Sequence, residues 1–358
     1  GPSRKVTLTK LIAGTPPMPT SPMNPASLTA LIRKSLAAGG FSDVNADIVS
    51  AHLVDAEMKG VASHGVNRLG LYLGEAKRDV IDPAADPLIT EPRPGMMHVD
   101  GARGIGIVAM KRATDAGIAA ARELGMATVG IVKCGHTGRM GAYGEQAAEA
   151  GFMALSLGGG GRQLWGNVVP FGGQDPMMST NPYTLALPGG QGDPVVCDFA
   201  ISTWPAGKVA VARANGDTLP PDVVVDKNGV PSTDPEAFYD GGALLPAAGA
   251  KGSGMGIIAE LMGDAMLGDA VEYNWLMVLI RADAFRPMTD YTEAAEGFMA
   301  EVRGSSPAPG FDSVMMPGER ETSRARAVAE TGIVVGDGVW NGIAEAAKSV
   351  GVKPEDYV

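Results

Sequence analysis

The chain has 358 residues, 29 basic against 40 acidic, and a formal net charge of −11. With 45% hydrophobic and 19% charged residues it has material for a sizeable core and is too apolar for a disordered chain. The negative balance without Lys/Arg clusters argues against a nucleic-acid partner, and no apolar run approaches the roughly 20 residues of a membrane span.

Residues 1–22 carry five prolines and open on Gly-Pro, so they read as an expression remnant or flexible arm. Asn24-Pro25 is a cap followed by proline at the first helical position, and Leu28, Leu31, Ile32 and Leu36 mark one buried helical face. A second helix is expected from Ser42 or Asp43 to Gly60, and Gly65 is expected in the turn before a third helix that carries Arg68 and Tyr72 one turn apart. The passage around 83–95 is Pro-rich, and 105–124 reads as a helix of small residues. Short apolar runs at Ala127–Val132, Phe152–Leu157, Thr184–Leu187, Val195–Phe199 and Trp275–Ile280 read as strands. Helical patterns recur at 254–268, 292–302, 322–329 and 340–350. Helical ends around a strand-rich middle predict a discontinuous α/β arrangement. Its expected units are a helical one (23–125 plus 290–358) and a strand-rich one (126–289).

Several familiar sites are missing. The chain has no G-x-x-x-x-G-K-[ST], H-E-x-x-H or G-x-S-x-G motif, and no correctly placed G-x-G-x-x-G, so a Rossmann domain is not expected. Cys134 and Cys197 can build neither a disulfide scaffold nor a four-cysteine zinc site. No secretory leader is evident, and a cytoplasmic protein without membrane, nucleic-acid or metal partners is expected.

Of the four histidines, His52 and His98 sit in structural patterns. His64 is followed by Arg68 and Tyr72; if the third helix starts at His64, the three share one face. An imidazole, a guanidinium fork and a phenol suit a small carboxylate-bearing substrate, with Ser63 adjacent. A polar helix cap beside an exposed arginine is the plainer alternative. His136 lies in a glycine-rich loop after a strand, where it can reach a ligand or merely bond to backbone. Thr180 and Asn181 form a polar turn, and Asp198 ends an apolar run. Lys251-Gly252 offers a cation and open backbone N–H groups before a helix.

These segments occur in a characteristic order: SHGVNR at 63–68, the His136 loop, PFGG at 170–173, STNP at 179–182, VVCDFA at 195–200 and AGK at 206–208. VDKNGVPSTDP at 225–235, LLPAAGAKGSGMG at 244–256 and MPGERE at 316–321 follow. Together they resemble the malate/L-lactate dehydrogenase type 2 family, with features of its ureidoglycolate dehydrogenase and diketogulonate reductase branches. The resemblance implies a non-Rossmann α/β fold with a mixed, largely antiparallel sheet, usually in a homodimer. It also implies an oxidoreductase that uses NAD or NADP, with NAD slightly preferred. Hydride would pass between the nicotinamide and a carbon bearing hydroxyl, oxo or imine next to a carboxylate, so cyclic imino-acid reduction stands beside 2-hydroxy-acid oxidation. By the same resemblance His64 and His136 are the acid/base candidates, and Arg68 fixes the carboxylate with Ser63 and Tyr72. Cofactor contacts fall on Thr180, Asn181, Val196, Asp198, Phe199, Ala200, Lys251, Gly252, Gly318, Glu319 and Arg320. Gly135 and Thr137 stand where relatives often carry Asn and an aromatic residue, and Ser179 where they often carry Gly. A hydrolase or lyase acting on an acidic metabolite is the rival from another reaction class.

Overall fold

A computed structural model describes residues 22–357; the expected arm lies outside these residues except for Pro22. Helix α1 (Pro25–Ala38) begins as its cap signals require, with the Asn24 side chain accepting from Ala26 N. Ser42 caps α2 (Asp43–Met58) in the same way. The third helix follows the expected turn at Gly65 but starts later than a helix beginning at His64 would, with Arg68 at its cap. Residues 62–64 and 66–68 form two 3₁₀ turns, and α3 (Leu69–Lys77) starts only afterwards. Gly65 lies between the turns in extended backbone, and Glu57 Oε2 accepts from Val66 N at 3.2 Å, tying this strap to α2. A side chain at Gly65 would begin 2.1 Å from that carboxylate oxygen.

The Pro-rich passage contains a hairpin, β1 (Leu88–Arg93) and β2 (Met96–Asp100). Then come α4 (Gly106–Leu124), β3 (Met126–Val132), α5 (Gly141–Glu149), β4 (Phe152–Gly159), α6 (Arg162–Trp165), β5 (Tyr183–Gly189) and β6 (Gly192–Phe199). The next stretch holds α7 (Ala206–Asn215), β7 (Val224–Val225), β8 (Pro231–Ser232), α8 (Glu236–Tyr239), β9 (Ala243–Leu244) and α9 (Ala250–Leu261). After β10 (Asn274–Arg281) come helices α10 (Met288–Arg303), α11 (Glu319–Thr331) and α12 (Asp337–Ser349), followed by a 3₁₀ turn over Pro354–Tyr357. All five strands read from sequence form, with longer bounds. Helix 254–268 instead starts at Ala250 and finishes in a π turn over Met262–Leu267.

The main sheet has the order β1-β2-β3-β10-β4-β5-β6, with β2–β3 its single parallel pair. That is a mixed, largely antiparallel sheet and not the doubly wound parallel order of a Rossmann domain. Strand β10, late in the chain, lies at its centre. A three-stranded sheet, β8-β7-β9, sits apart. One apolar core is built from residues 23–108 together with 333–352, including Leu28, Leu53, Tyr72 and Trp340. A second lies between the sheet and helices α4 and α5, around Val129, Trp275 and Met277. The loops that end β3 and β6, the 62–68 strap and the start of α9 carry the polar residues of interest.

Candidate active site

The loop from β3 to α5 presents His136. Its Nδ1 receives the N–H of Gly138 at 3.3 Å and lies 2.7 Å from the Tyr72 hydroxyl. A backbone N–H can only donate, so Nδ1 is an acceptor, Tyr72 donates to it, and the ring proton resides on Nε2. Gly138 has φ +69°, a conformation that suits glycine. On its flanks Tyr143 Oη donates to Thr137 O at 2.7 Å, and Arg139 N donates to His52 Nε2 at 2.8 Å. The buried Arg139 guanidinium ends on Asp55 and Glu145, joining the loop to α2 and α5.

The strap over residues 62–68 brings His64 onto this loop. Its ring stacks on that of His136 with centroids 5.4 Å apart and 21° between planes. The His64 Nδ1 is 2.9 Å from Ser63 Oγ, a hydroxyl that can donate or accept. Arg68 donates from Nε to Ser63 O at 2.6 Å, while its two terminal nitrogens have no partner among the described residues. An open guanidinium fork therefore lies beside two imidazoles and the fully buried Tyr72. The structure thus gathers Ser63, His64, Arg68, Tyr72 and His136, although not by the expected route. The 3₁₀ turns remove the shared helical face, and tertiary packing against the His136 loop replaces it.

Both imidazoles are neutral at pH 7. Burial, with Arg68 and Arg139 nearby, pulls His64 down to about 4. Burial, His64 and Arg68 hold His136 well below the usual histidine range. Burial also raises the Tyr72 phenol. Sequence reasoning missed Glu272, whose Oε1 lies 3.9 Å from where a Gly135 side chain would begin. Burial and then Glu75 push its carboxyl up to about 7, against the pull of Arg68. A half-buried glutamate in a loop before a strand carries no periodic signal. His52, read only as a helical residue, turns out to hold the His136 loop through Arg139 N. Among the described residues no group of three or more His, Cys, Asp or Glu is arranged to hold a metal ion.

A second constellation adjoins the first through residues 272–273: Glu272 neighbours Gly135, and Tyr273 Oη lies 3.4 Å from Thr180 Oγ1. Ile201 N bonds to Thr180 O, Ala247 N to Ile201 O and Gly252 N to Ala247 O, joining the STNP turn, the end of β6 and the start of α9. At the other end of that segment Val196 N bonds to Pro317 O, which sets Gly318, Glu319 and Arg320 beside β6. Two expectations change in detail. The N–H groups of Lys251 and Gly252 are not open, because the carbonyls of Ala248 and Ala247 take them once α9 begins at Ala250. The Asp198 carboxylate is occupied by Gly141 N at 2.7 Å and Thr184 Oγ1 at 3.1 Å. Lys251 and Arg320 remain exposed and without ion-pair partners among the described residues, one toward each end of the 196–201 segment. A cavity of about 550 Å³ lies elsewhere, between α2, α4 and α5; it is lined by His52 and Tyr143 but not by His64, Arg68 or His136.

An open guanidinium fork beside paired neutral imidazoles has the chemistry to bind a carboxylate and to move a proton. The chain matches the malate/L-lactate dehydrogenase family over residues 23–344 and belongs to it. It is 32% identical to the NAD(+)-dependent ureidoglycolate dehydrogenase of Escherichia coli K12 over 332 residues, 88% of this chain and 92% of that protein. It resembles the solved sulfolactate dehydrogenase of Methanocaldococcus jannaschii with a TM-score of 0.86 and 26% identity, covering 94% and 99% of the two chains. It also resembles the Δ1-piperideine-2-carboxylate reductase of Pseudomonas syringae, with TM-score 0.82 and 27% identity over 91% of this chain and 100% of that one. The protein is therefore a hydroxy-acid dehydrogenase that works with a nicotinamide cofactor, which sets aside the hydrolase and lyase readings.

Proposed function

We propose that the protein interconverts a 2-hydroxy acid and a 2-oxo acid with NAD, using Arg68 to hold the substrate carboxylate and His64 to exchange the hydroxyl proton. The contrast between the two histidines carries this reading. His136 Nδ1 faces a backbone amide that can only donate, so its Nε2 keeps a proton and acts as a hydrogen-bond donor to the reacting oxygen. His64 Nδ1 faces a hydroxyl of either polarity, which lets Nε2 be protonated or bare as the reaction requires. The Ser63 carbonyl orients Arg68 through Nε, leaving its fork to bind the carboxylate bidentately and fix the reacting carbon. Tyr72 holds His136 from the buried side. When bound, the nicotinamide accepts or returns the hydride.

Neutral His64 is ready to accept the hydroxyl proton in the oxidative direction. A substrate carboxylate on Arg68 offsets the charge that depresses His64, so the imidazole becomes more basic as substrate binds. Lys251 and Arg320, with Thr180, Asn181, Val196, Asp198, Phe199, Ala200, Gly252, Gly318 and Glu319, are assigned to the cofactor. The same proposal includes a homodimer in the cytoplasm and a substrate domain (23–125 plus 290–358) on a cofactor domain (126–289). The core shared by residues 23–108 and 333–352 supports the division, and the exposed Ile257, Ile258 and Leu261 on α9 support self-association. Reduction of a cyclic imino acid is the second reading, supported by the likeness to the Pseudomonas reductase. A panel of hydroxy acids, oxo acids and cyclic imines assayed with both cofactors separates them.

The decisive variant is His64→Ala. It should retain cofactor and substrate binding, lose about 10²–10⁴ in kcat, and recover part of it when imidazole is added. Retention of wild-type turnover would assign the proton to another group.

A further inference from the structure

Gly138 aims its N–H at His136 Nδ1, and the two residues on either side of it are gripped by one stacked aromatic pair. His52 and Tyr143 lie with ring centroids 5.5 Å apart and 23° between planes. Tyr143 Oη donates to the Thr137 carbonyl at 2.7 Å, and His52 Nε2 accepts from Arg139 N at 2.8 Å. The oxygen of residue 137 and the nitrogen of residue 139 are thus both fixed, which leaves the intervening glycine little freedom to turn its N–H away. Close packing limits it further: a side chain at Gly138 would begin 2.2 Å from His52 Nε2.

We propose that the His52–Tyr143 pair is a positioning element that keeps the ring proton of His136 on Nε2, by holding Gly138 N–H against His136 Nδ1. His52 is not catalytic in this scheme. It acts through two peptide units, and its own proton sits on Nδ1 because Nε2 is an acceptor. Burial and the Arg139 charge pull His52 down to about 3, so it remains a neutral acceptor across the working range. The far end of Arg139 is tied to Asp55 and Glu145, which stops the loop from following a displaced His52 side chain. Without the pair, Gly138 N–H could swing off Nδ1, and Tyr72 Oη, which can also accept, would tolerate a proton there. The inference deepens the reading of His136 as a fixed donor and rests on it.

The test is histidine nitrogen NMR on the whole protein labelled with ¹⁵N-histidine, using His136→Gln to assign the signal. Wild type should show His136 with bare Nδ1 and protonated Nε2. H52Q, whose side-chain oxygen can replace the acceptor, should preserve that pattern and stay within about threefold of wild-type kcat. H52L should give mixed His136 tautomers and lose about tenfold or more in kcat at little changed KM. Y143F probes the other anchor and should shift the tautomers in the same sense, so the proposal stands testable even if H52L fails to fold. A proton on His136 Nδ1 in wild type, or an unchanged tautomer in both folded H52L and Y143F, overturns it. The measurement needs no substrate, so it fails or succeeds independently of the His64→Ala turnover result.

Discussion

Arg68 shows how much a single side chain depends on its setting. Spacing alone leaves two readings open, a carboxylate fork sharing a face with His64 and Tyr72 or an exposed arginine beside a helix cap. In the fold its Nε is spent on the Ser63 carbonyl and its fork is left open beside His64 and His136. Arg68→Lys keeps the charge but loses the planar pair of donors, so substrate KM should rise about tenfold or more, while cofactor affinity is unchanged. Steady-state kinetics against cofactor titration checks this; equal KM values would remove Arg68 from the site. His64 was visible in the sequence because it sits in an ordered motif. Glu272 was not, since its proximity to Gly135 arises only when the segment before β10 folds across the β3–α5 loop.

At the scale of elements, apolar runs revealed the interior strands β3, β4, β5 and β10, and also the edge strand β6, in which only Val196 is buried. The β1–β2 hairpin escaped because β1 is exposed along nearly its whole length and its turn is built on Arg93-Pro94-Gly95. Helix α5 escaped because Gly-Ala-Tyr-Gly reads as a loop, although small residues let it lie closely over β5 and β6. The turn at Gly65 was legible, whereas the conditional start of α3 at His64 fails because the Glu57 carboxylate and an extended Gly65 hold 62–68 in two short turns. Element packing also yields a test at Gly138. Gly138→Ala combines a left-handed backbone position with a collision at His52 and should destabilise the fold by about 2–4 kcal/mol, with turnover falling as well. Urea unfolding measures the first; an unchanged midpoint would mean the loop is looser than the structure shows.

Across the whole molecule, resemblance to a family placed the fold class correctly, whereas the strand order with β10 at the centre could not be read locally. Non-local pairing decides that order, and no short-range pattern encodes it. Stability should carry the signature of the buried imidazoles. His52, His64 and His136 all have folded values below their unfolded one, so the unfolded chain binds their protons first and stability falls as pH drops below about 6.5. Glu272, raised to about 7, acts oppositely: its contribution is present at low pH and is lost as pH rises through 7. Burial raises Glu57, Glu75, Glu149 and Asp198 as well, and these oppose the decline together with Glu272, so unfolding free energy should fall from pH 6.5 toward pH 5 by less than about 3 kcal/mol per pH unit. Denaturant titrations across that range decide it; a flat profile would mean the imidazoles are not desolvated.

The most direct measurement is a crystal structure of the protein with its oxidised or reduced nicotinamide cofactor and a 2-oxo or 2-hydroxy acid. The account predicts the acid's carboxylate across the Arg68 fork and its 2-oxygen within about 3 Å of both His64 and the His136 Nε2. A carboxylate bound away from the 62–68 strap, with neither imidazole reaching the reacting oxygen, would contradict it.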